Sequence, residues 1–137
     1  MKTAMIIASD AGARTAGIIR EELGKEVDLF SVSERSGCVR IDSITDFTLR
    51  HFGDYEAFVF IGAMGICVRA IAPCVTSKYA DPAVVNVDAT GHFVVSVLAG
   101  HVGGANALTE RLARILGAQP VVTTQSDNTG LWALDLL

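Results

Sequence analysis

The chain has 137 residues, half of them hydrophobic and 19% charged, with a formal net charge of −4. A polypeptide of this size fits one domain that buries roughly two-thirds of the surface its unfolded form exposes, and this composition is far from that of disordered chains. The acidic balance, with no basic run or zinc-finger spacing, argues against a nucleic-acid partner but leaves room for a local pocket that binds a small anion.

From the N-terminus, Ala4 to Ala8 is a short apolar run that Ser9-Asp10-Ala11-Gly12 breaks, as in a buried parallel strand. That run is too short for a secretion signal or a membrane helix, so the cytoplasm is the expected compartment. Ala16, Ile18, Ile19 and Leu23 recur near helical spacing over 13–23, and Gly24 is a natural stop. Val27 to Val32 reads as a second strand, and Gly37 to Arg40 as a loop or a short edge strand. Asp42 or Ser43 can cap a helix over 44–52 with Ile44, Phe47, Leu49 and Phe52 on its apolar face. Ala57 to Ile61 is the clearest central strand. It runs into Gly62-Ala63-Met64-Gly65 and a short helix through Ile66, Val68 and Ile71 that Pro73 stops.

Ala83 to Val87 and Phe93 to Leu98 are two further strands. The turn-rich link Asp88-Ala89-Thr90-Gly91 between them suits an antiparallel pair. A helix over 105–116 ends at Gly117, and Val121 to Thr124 is the last strand, followed by a polar loop over 125–130. The final apolar segment, Trp132 to Leu137, is either a docked helix or the cut end of a longer protein. This rhythm of strands and helices predicts a single α/β domain over 1–137, a three-layer α/β/α arrangement on a mostly parallel sheet.

Ligands of open α/β sheets lie beyond the carboxyl ends of the strands. Four loops are expected to meet at one rim: Ser9 to Arg14, Gly62 to Gly65, Gly100 to Gly104, and Thr123 to Asp127. The stretch Leu98-Ala99-Gly100-His101-Val102-Gly103-Gly104-Ala105-Asn106 stands out among them, because glycines at a helix start let a ligand approach backbone amides. His101 is the acid/base candidate there, to be weighed against ligand contact and a role in holding the turn. Asp88 and Asp127 follow apolar strands and could orient a histidine or activate water, although aspartates in loops commonly cap turns instead. Arg69 and Lys78 could meet ligand carboxylates or lie solvated, and Asn106 could cap its helix or donate to a ligand. His51 and His92 read as structural. Cys38, Cys67 and Cys74 form no C-x-x-C pair and read as reduced thiols. No zinc spacing, dinucleotide fingerprint or P-loop is present.

Several segments together resemble the N-terminal domain of the cobalt-precorrin 5A hydrolase (CbiG) family. They are Phe60-Ile61-Gly62-Ala63-Met64-Gly65-Ile66-Cys67-Val68-Arg69-Ala70-Ile71-Ala72-Pro73; Lys78-Tyr79-Ala80-Asp81-Pro82-Ala83-Val84-Val85; Val87-Asp88 with Gly91; the His101 stretch; and Gly117 to Thr124 with Asp127. The resemblance implies a hydrolase of the anaerobic cobalamin route that opens the ring A δ-lactone of cobalt-precorrin 5A and releases acetaldehyde, giving cobalt-precorrin 5B. Its substrate would be a tetrapyrrole rich in carboxylates whose cobalt is substrate-borne, with no protein metal cofactor.

Within that expectation His101 is the base, aided by Asp127 or Asp88, and the amides around Gly103 and Gly104 face the oxyanion. Gly62, Gly65, Arg69, Lys78, Gly100, Asn106, Thr123 and Thr124 would contact the substrate. Members of the family are substantially longer, so the chain is expected to be the N-terminal part of a larger enzyme, working with its remaining domain or with neighbouring enzymes of the route. A noncatalytic domain that presents the corrinoid to such a partner is the alternative, and a flavodoxin-like module for another anion a third.

Overall fold

The computed structural model describes residues 1–124. The elements in chain order are β1 (Thr3–Ile7), α1 (Ala13–Leu23), β2 (Val27–Ser31), β3 (Val39–Arg40), α2 (Ile44–His51), β4 (Ala57–Ile61), α3 (Met64–Ile71), β5 (Ala83–Val87), β6 (Phe93–Leu98), α4 (Ala105–Leu116) and β7 (Gln119–Val121). Seven strands form one sheet in the order β3-β2-β1-β4-β5-β6-β7. The first five run parallel; β6 pairs antiparallel with β5, and β7 follows β6 in parallel.

Unbroken apolar runs explain the centre. Every residue of β1, β4 and β5 is buried, as strands covered on both faces require. On one face α1 and α4 pack over Met5, Val59, Val85 and Val94; on the other α2 and α3 cover Ile6, Phe30, Phe58 and Phe60. The result is the three-layer α/β/α domain with one antiparallel pair. The helices bury what their periodicity selects. In α4, Ala105, Leu108, Thr109, Leu112 and Ala113 recur three and four apart and face the sheet. Ile18, Leu49 and Val68, expected on apolar faces, are instead exposed, because they stand at the edge of the buried stripe, about 60° round the helix from buried Thr15, Phe52 and Ile71. Ser43 caps α2 by accepting a hydrogen bond from the Asp46 amide at 3.2 Å.

One open choice is settled, and the last strand is displaced from its expected bounds. The segment 37–40 resolves into a two-residue edge strand, β3. The last strand lies at Gln119–Val121 and not at 121–124, because the Gln119 amide bonds to the His92 carbonyl at 2.8 Å and so begins the pairing early. Pro120 is tolerated in it, as edge strands allow. The loop and apolar segment expected over 125–137 lie outside the described residues.

Gly17 sits in the middle of α1, is exposed, and a Cβ placed on it would meet nothing within 4 Å. A helix-interior glycine costs about 0.5–1 kcal/mol relative to alanine. Gly17→Ala is therefore expected to stabilise the protein by about that amount, read as a higher urea midpoint at unchanged slope.

Candidate functional site

The reversal of β6 decides where the candidate residues lie. The carboxyl ends of β1, β4 and β5 form one end of the sheet, and the loops holding Gly62, Gly65 and Asp88 emerge there. Because β6 runs the other way, its own carboxyl end at Leu98 pairs with Val84, near the start of β5. The loop Gly100–Gly104 therefore opens at the opposite end. β7 is parallel to β6 and delivers Thr123 and Thr124 to that same opposite end. A five-residue strand is about 16 Å long. The expected meeting of four loops at one rim is thus overturned, and Asp88 stands too far from His101 to orient it.

The His101 end gathers most of the candidates. Lys78 belongs to the turn before β5; in it, buried Asp81 accepts hydrogen bonds from the Thr76 and Ser77 amides at 2.9 and 3.1 Å. Lys78 itself is exposed, with its ammonium 5.3 Å from the Tyr79 ring centre. Asn106, in the first turn of α4, accepts from the Ser96 hydroxyl at 2.7 Å and donates to the Thr124 hydroxyl at 2.6 Å. It bolts β6, α4 and the segment after β7 together, which brings Thr124 beside Gly100. His101 and Thr123 are exposed at this rim. Asp127 lies outside the described residues.

The glycines here have packing reasons of their own. A Cβ on Gly100 would fall 2.6 Å from Asn106 Oδ1, and one on Gly103 would fall 2.6 Å from the Ala99 Cβ and 2.9 Å from its carbonyl oxygen. Gly104 adopts a left-handed conformation, φ 86°, at the start of α4. Ala99 is itself at φ 56°, a conformation that costs an L-residue roughly 1–2 kcal/mol. The carbonyls of Ala99 and Gly100 accept from the Ala105 and Asn106 amides at 3.2 and 3.0 Å. Two of the first-turn donors of α4 are therefore occupied by the loop itself. Beside Gly104 a cleft of about 220 Å³ opens between Met1, Leu23, Leu108 and Arg111. That is below the roughly 300–1,000 Å³ of small-molecule sites.

At the other end, Gly62 lets two loops interlock: a Cβ there would sit 2.7 Å from that of Ala8. Its amide donates to the Val87 carbonyl at 2.9 Å and its carbonyl accepts from Asn86 Nδ2 at 3.2 Å. Arg69 folds back along α3 until its guanidinium lies 3.5 Å from the Cβ position of Gly65.

Asp88 organises the hairpin. Its carboxylate accepts from the His92 amide at 2.8 Å, the Phe93 amide at 2.5 Å and the Thr90 hydroxyl at 2.6 Å. The same hydroxyl lies 2.7 Å from His92 Nδ1. This Asp88-Thr90-His92 chain escaped the sequence reading, although the alternate spacing that puts the three side chains together was its signal. Burial raises the Asp88 pKa, but the hydrogen bonds from Thr90, Phe93 and His92 outweigh it and hold the carboxyl below its ordinary value.

Cys38, Cys67 and Cys74 are free thiols. Burial pushes Cys67 up to about 12, and burial together with Asp81 raises Cys74. His51 is tied to Asp54 at 2.8 Å and lies against Phe47. Among the described residues no group of three or more His, Cys, Asp or Glu could hold a metal ion, and no helix is long and apolar enough to cross a membrane.

The family model described as "Cobalamin synthesis G N-terminal" matches residues 46–127, more than half of the chain. The chain belongs to this family. It is 56% identical over 86 residues to the cobalt-precorrin-5A hydrolase of Salmonella typhimurium (strain LT2), covering 63% of this chain and 24% of that protein. Against the cobalt-precorrin-5A hydrolase of Priestia megaterium it is 50% identical over 76 residues, 56% of this chain and 20% of that one. The chain thus spans about a quarter or less of the length of these curated relatives. In fold it is similar to the crystal structure of a cobalamin biosynthesis protein G homolog from Sulfolobus solfataricus, with a TM-score of 0.65 and 29% identity over 88% of this chain and 36% of that one.

Two expectations follow from this geometry. Gly103→Ala drives a methyl into Ala99 and should cost about 1–3 kcal/mol, measured by urea unfolding. Asp88→Ala should lower the urea midpoint at pH 7. A depressed folded pKa contributes stability that is fully present above the unfolded value, about 4, and is lost as pH falls through the folded one, so the gap between variant and wild type should narrow progressively as the pH is lowered below about 4.

Proposed function

We propose that this domain takes part in opening the ring A δ-lactone of cobalt-precorrin 5A, with release of acetaldehyde to give cobalt-precorrin 5B. One observation carries the reading. The family match over 46–127 contains Lys78, the whole His101 loop and Thr123–Thr124, and the fold gathers these residues at one end of the sheet.

The chemistry such a reaction needs can be written on this end. A water molecule attacks the lactone carbonyl while His101 accepts its proton. Backbone amides around Gly103 and Gly104 face the tetrahedral oxyanion. The carbon–oxygen bond then breaks, and the departing alkoxide takes a proton to become the hydroxyl on C20. When that hydroxyl loses its proton, its oxygen forms the carbonyl of acetaldehyde and the carbon–carbon bond to the macrocycle breaks. The electron pair of that bond passes into the electron-poor corrinoid ring. Lys78 meets a carboxylate arm of the substrate as a point charge, and Thr123, Thr124 and Asn106 border it. The cobalt belongs to the substrate. Gly62, Gly65, Arg69 and Asp88, at the far end, are not assigned to this step.

A second reading has an observation in its favour: the chain spans about a quarter of the curated hydrolases it resembles. On that reading the domain binds the corrinoid and presents it to a partner of the same route. Incubation with cobalt-precorrin 5A while acetaldehyde is followed separates the two. The first predicts release that His101→Ala slows by about 10²- to 10⁴-fold. Tight binding without release by the wild type would establish the second instead.

A further inference from the structure

The two faces of the sheet are covered unequally at β6 and β7. On the α1 and α4 face, Val94 shares a core with Leu108, Leu112 and Ala113. On the α2 and α3 face the core reaches Val84 of β5 and stops at Val97 and Leu98 on its margin. Phe93 and Val95 alternate with Val94 and so point away from α4, and the register sets Val121 opposite Val95 on the same face. Among the described residues, no helix packs Phe93, Val95 or Val121 into a core. Phe93 is 53% exposed, and Val95, Val97 and Val121 are half-buried. An apolar sheet face of this kind calls for a further layer.

We propose that residues 132–137 of this same chain dock on the strip, independently of the lactone reading. The chemistry matches. The segment offers Trp132, Ala133, Leu134, Leu136 and Leu137 against the single charge of Asp135, and the strip of one phenylalanine and three valines carries no charge. Its attachment is suitable too. β7 brings the chain to the end of the sheet at which Val97 lies, and Asn106 holds Thr124 there through a 2.6 Å hydrogen bond. The link over 125–131 reaches roughly 20 Å when extended. That exceeds the ~10 Å between packed layers, so the segment can pass round the end of the sheet to the face away from α4.

The size of the strip decides between this occupant and a second copy of the chain. Four side chains, three of them half-buried, fall far short of the roughly 800 Å² per partner that a stable interface buries. A segment tethered by a short link has no such requirement, because its effective concentration at the strip is already of millimolar order.

Trp132 is the single tryptophan of the chain, so its fluorescence reads the docking directly. In the 137-residue protein its emission should lie to the blue of N-acetyltryptophanamide, with iodide quenching several-fold weaker and neither value changing on dilution. Nuclear Overhauser contacts should join its indole protons to the methyls of Val95 and Val121. Phe93→Ser and Val121→Thr should each shift the emission to the red and raise the quenching, with the far-ultraviolet circular dichroism kept. Val39→Ser, at an exposed position of the edge strand β3 across the sheet, should change neither. If Val121→Thr disturbs the fold, Phe93→Ser is read alone, since that side chain is already half exposed. Emission and quenching equal to those of the free indole overturn the proposal. So do indole contacts confined to other faces of the domain, or indifference to Phe93→Ser. A red shift on dilution also overturns it and makes a second copy the occupant. Acetaldehyde release plays no part in the readout, so this docking and the lactone reading stand or fall separately.

Discussion

The antiparallel pairing of β6 with β5 is the constraint on which the rest of the molecule depends. It is set locally. Asp88 gathers the Thr90 hydroxyl and the His92 and Phe93 amides around one carboxylate, and the chain returns on itself within five residues. From that reversal follows the direction of β7, the placing of α4 beside α1, and the end of the sheet at which the His101 loop emerges. A parallel β6 would need a long crossover before it, and the five residues from Asp88 to His92 are too few for one.

The reversal also gives the domain two chemically different ends. At one, tight loops after β1 and β4 interlock through Gly12 and Gly62. At the other, a strained and closely packed loop, with Ala99 in a left-handed conformation, holds α4 through its own carbonyls. Strain of this kind persists only where the surroundings impose it and is concentrated at functional sites. Here the surroundings are identifiable. Asn106 links Ser96 to Thr124, and Gly103 gives Ala99 its room.

Much of the architecture was legible in the sequence. The unbroken runs of β1, β4 and β5, the spacing within α4 and its glycine stop at Gly117 all carried their meaning locally, because hydrophobic period and turn residues act over a few residues. The antiparallel pair was legible too, in Asp88-Ala89-Thr90-Gly91. Its consequence was missed: an antiparallel β6 and a His101 loop at the same rim as Gly62 exclude each other. The motif glycines were visible as special residues, but as ligand contacts. That they make room for Ala8, Ala99 and Asn106 depends on contacts between distant segments, which no spacing along the chain encodes.

The central claim is that the His101 loop and the Gly62 loop occupy opposite ends of the sheet. A paramagnetic tag on exposed position 102 tests it directly, through the broadening of amide signals across the chain. The amides of Lys78, Asp81 and Gly104 should be broadened, while those of Gly62, Gly65 and Asp88 should keep their intensity. Strong broadening at Gly62 and Asp88, with Lys78 and Asp81 untouched, would contradict the reversal and the assignment of the two ends built on it.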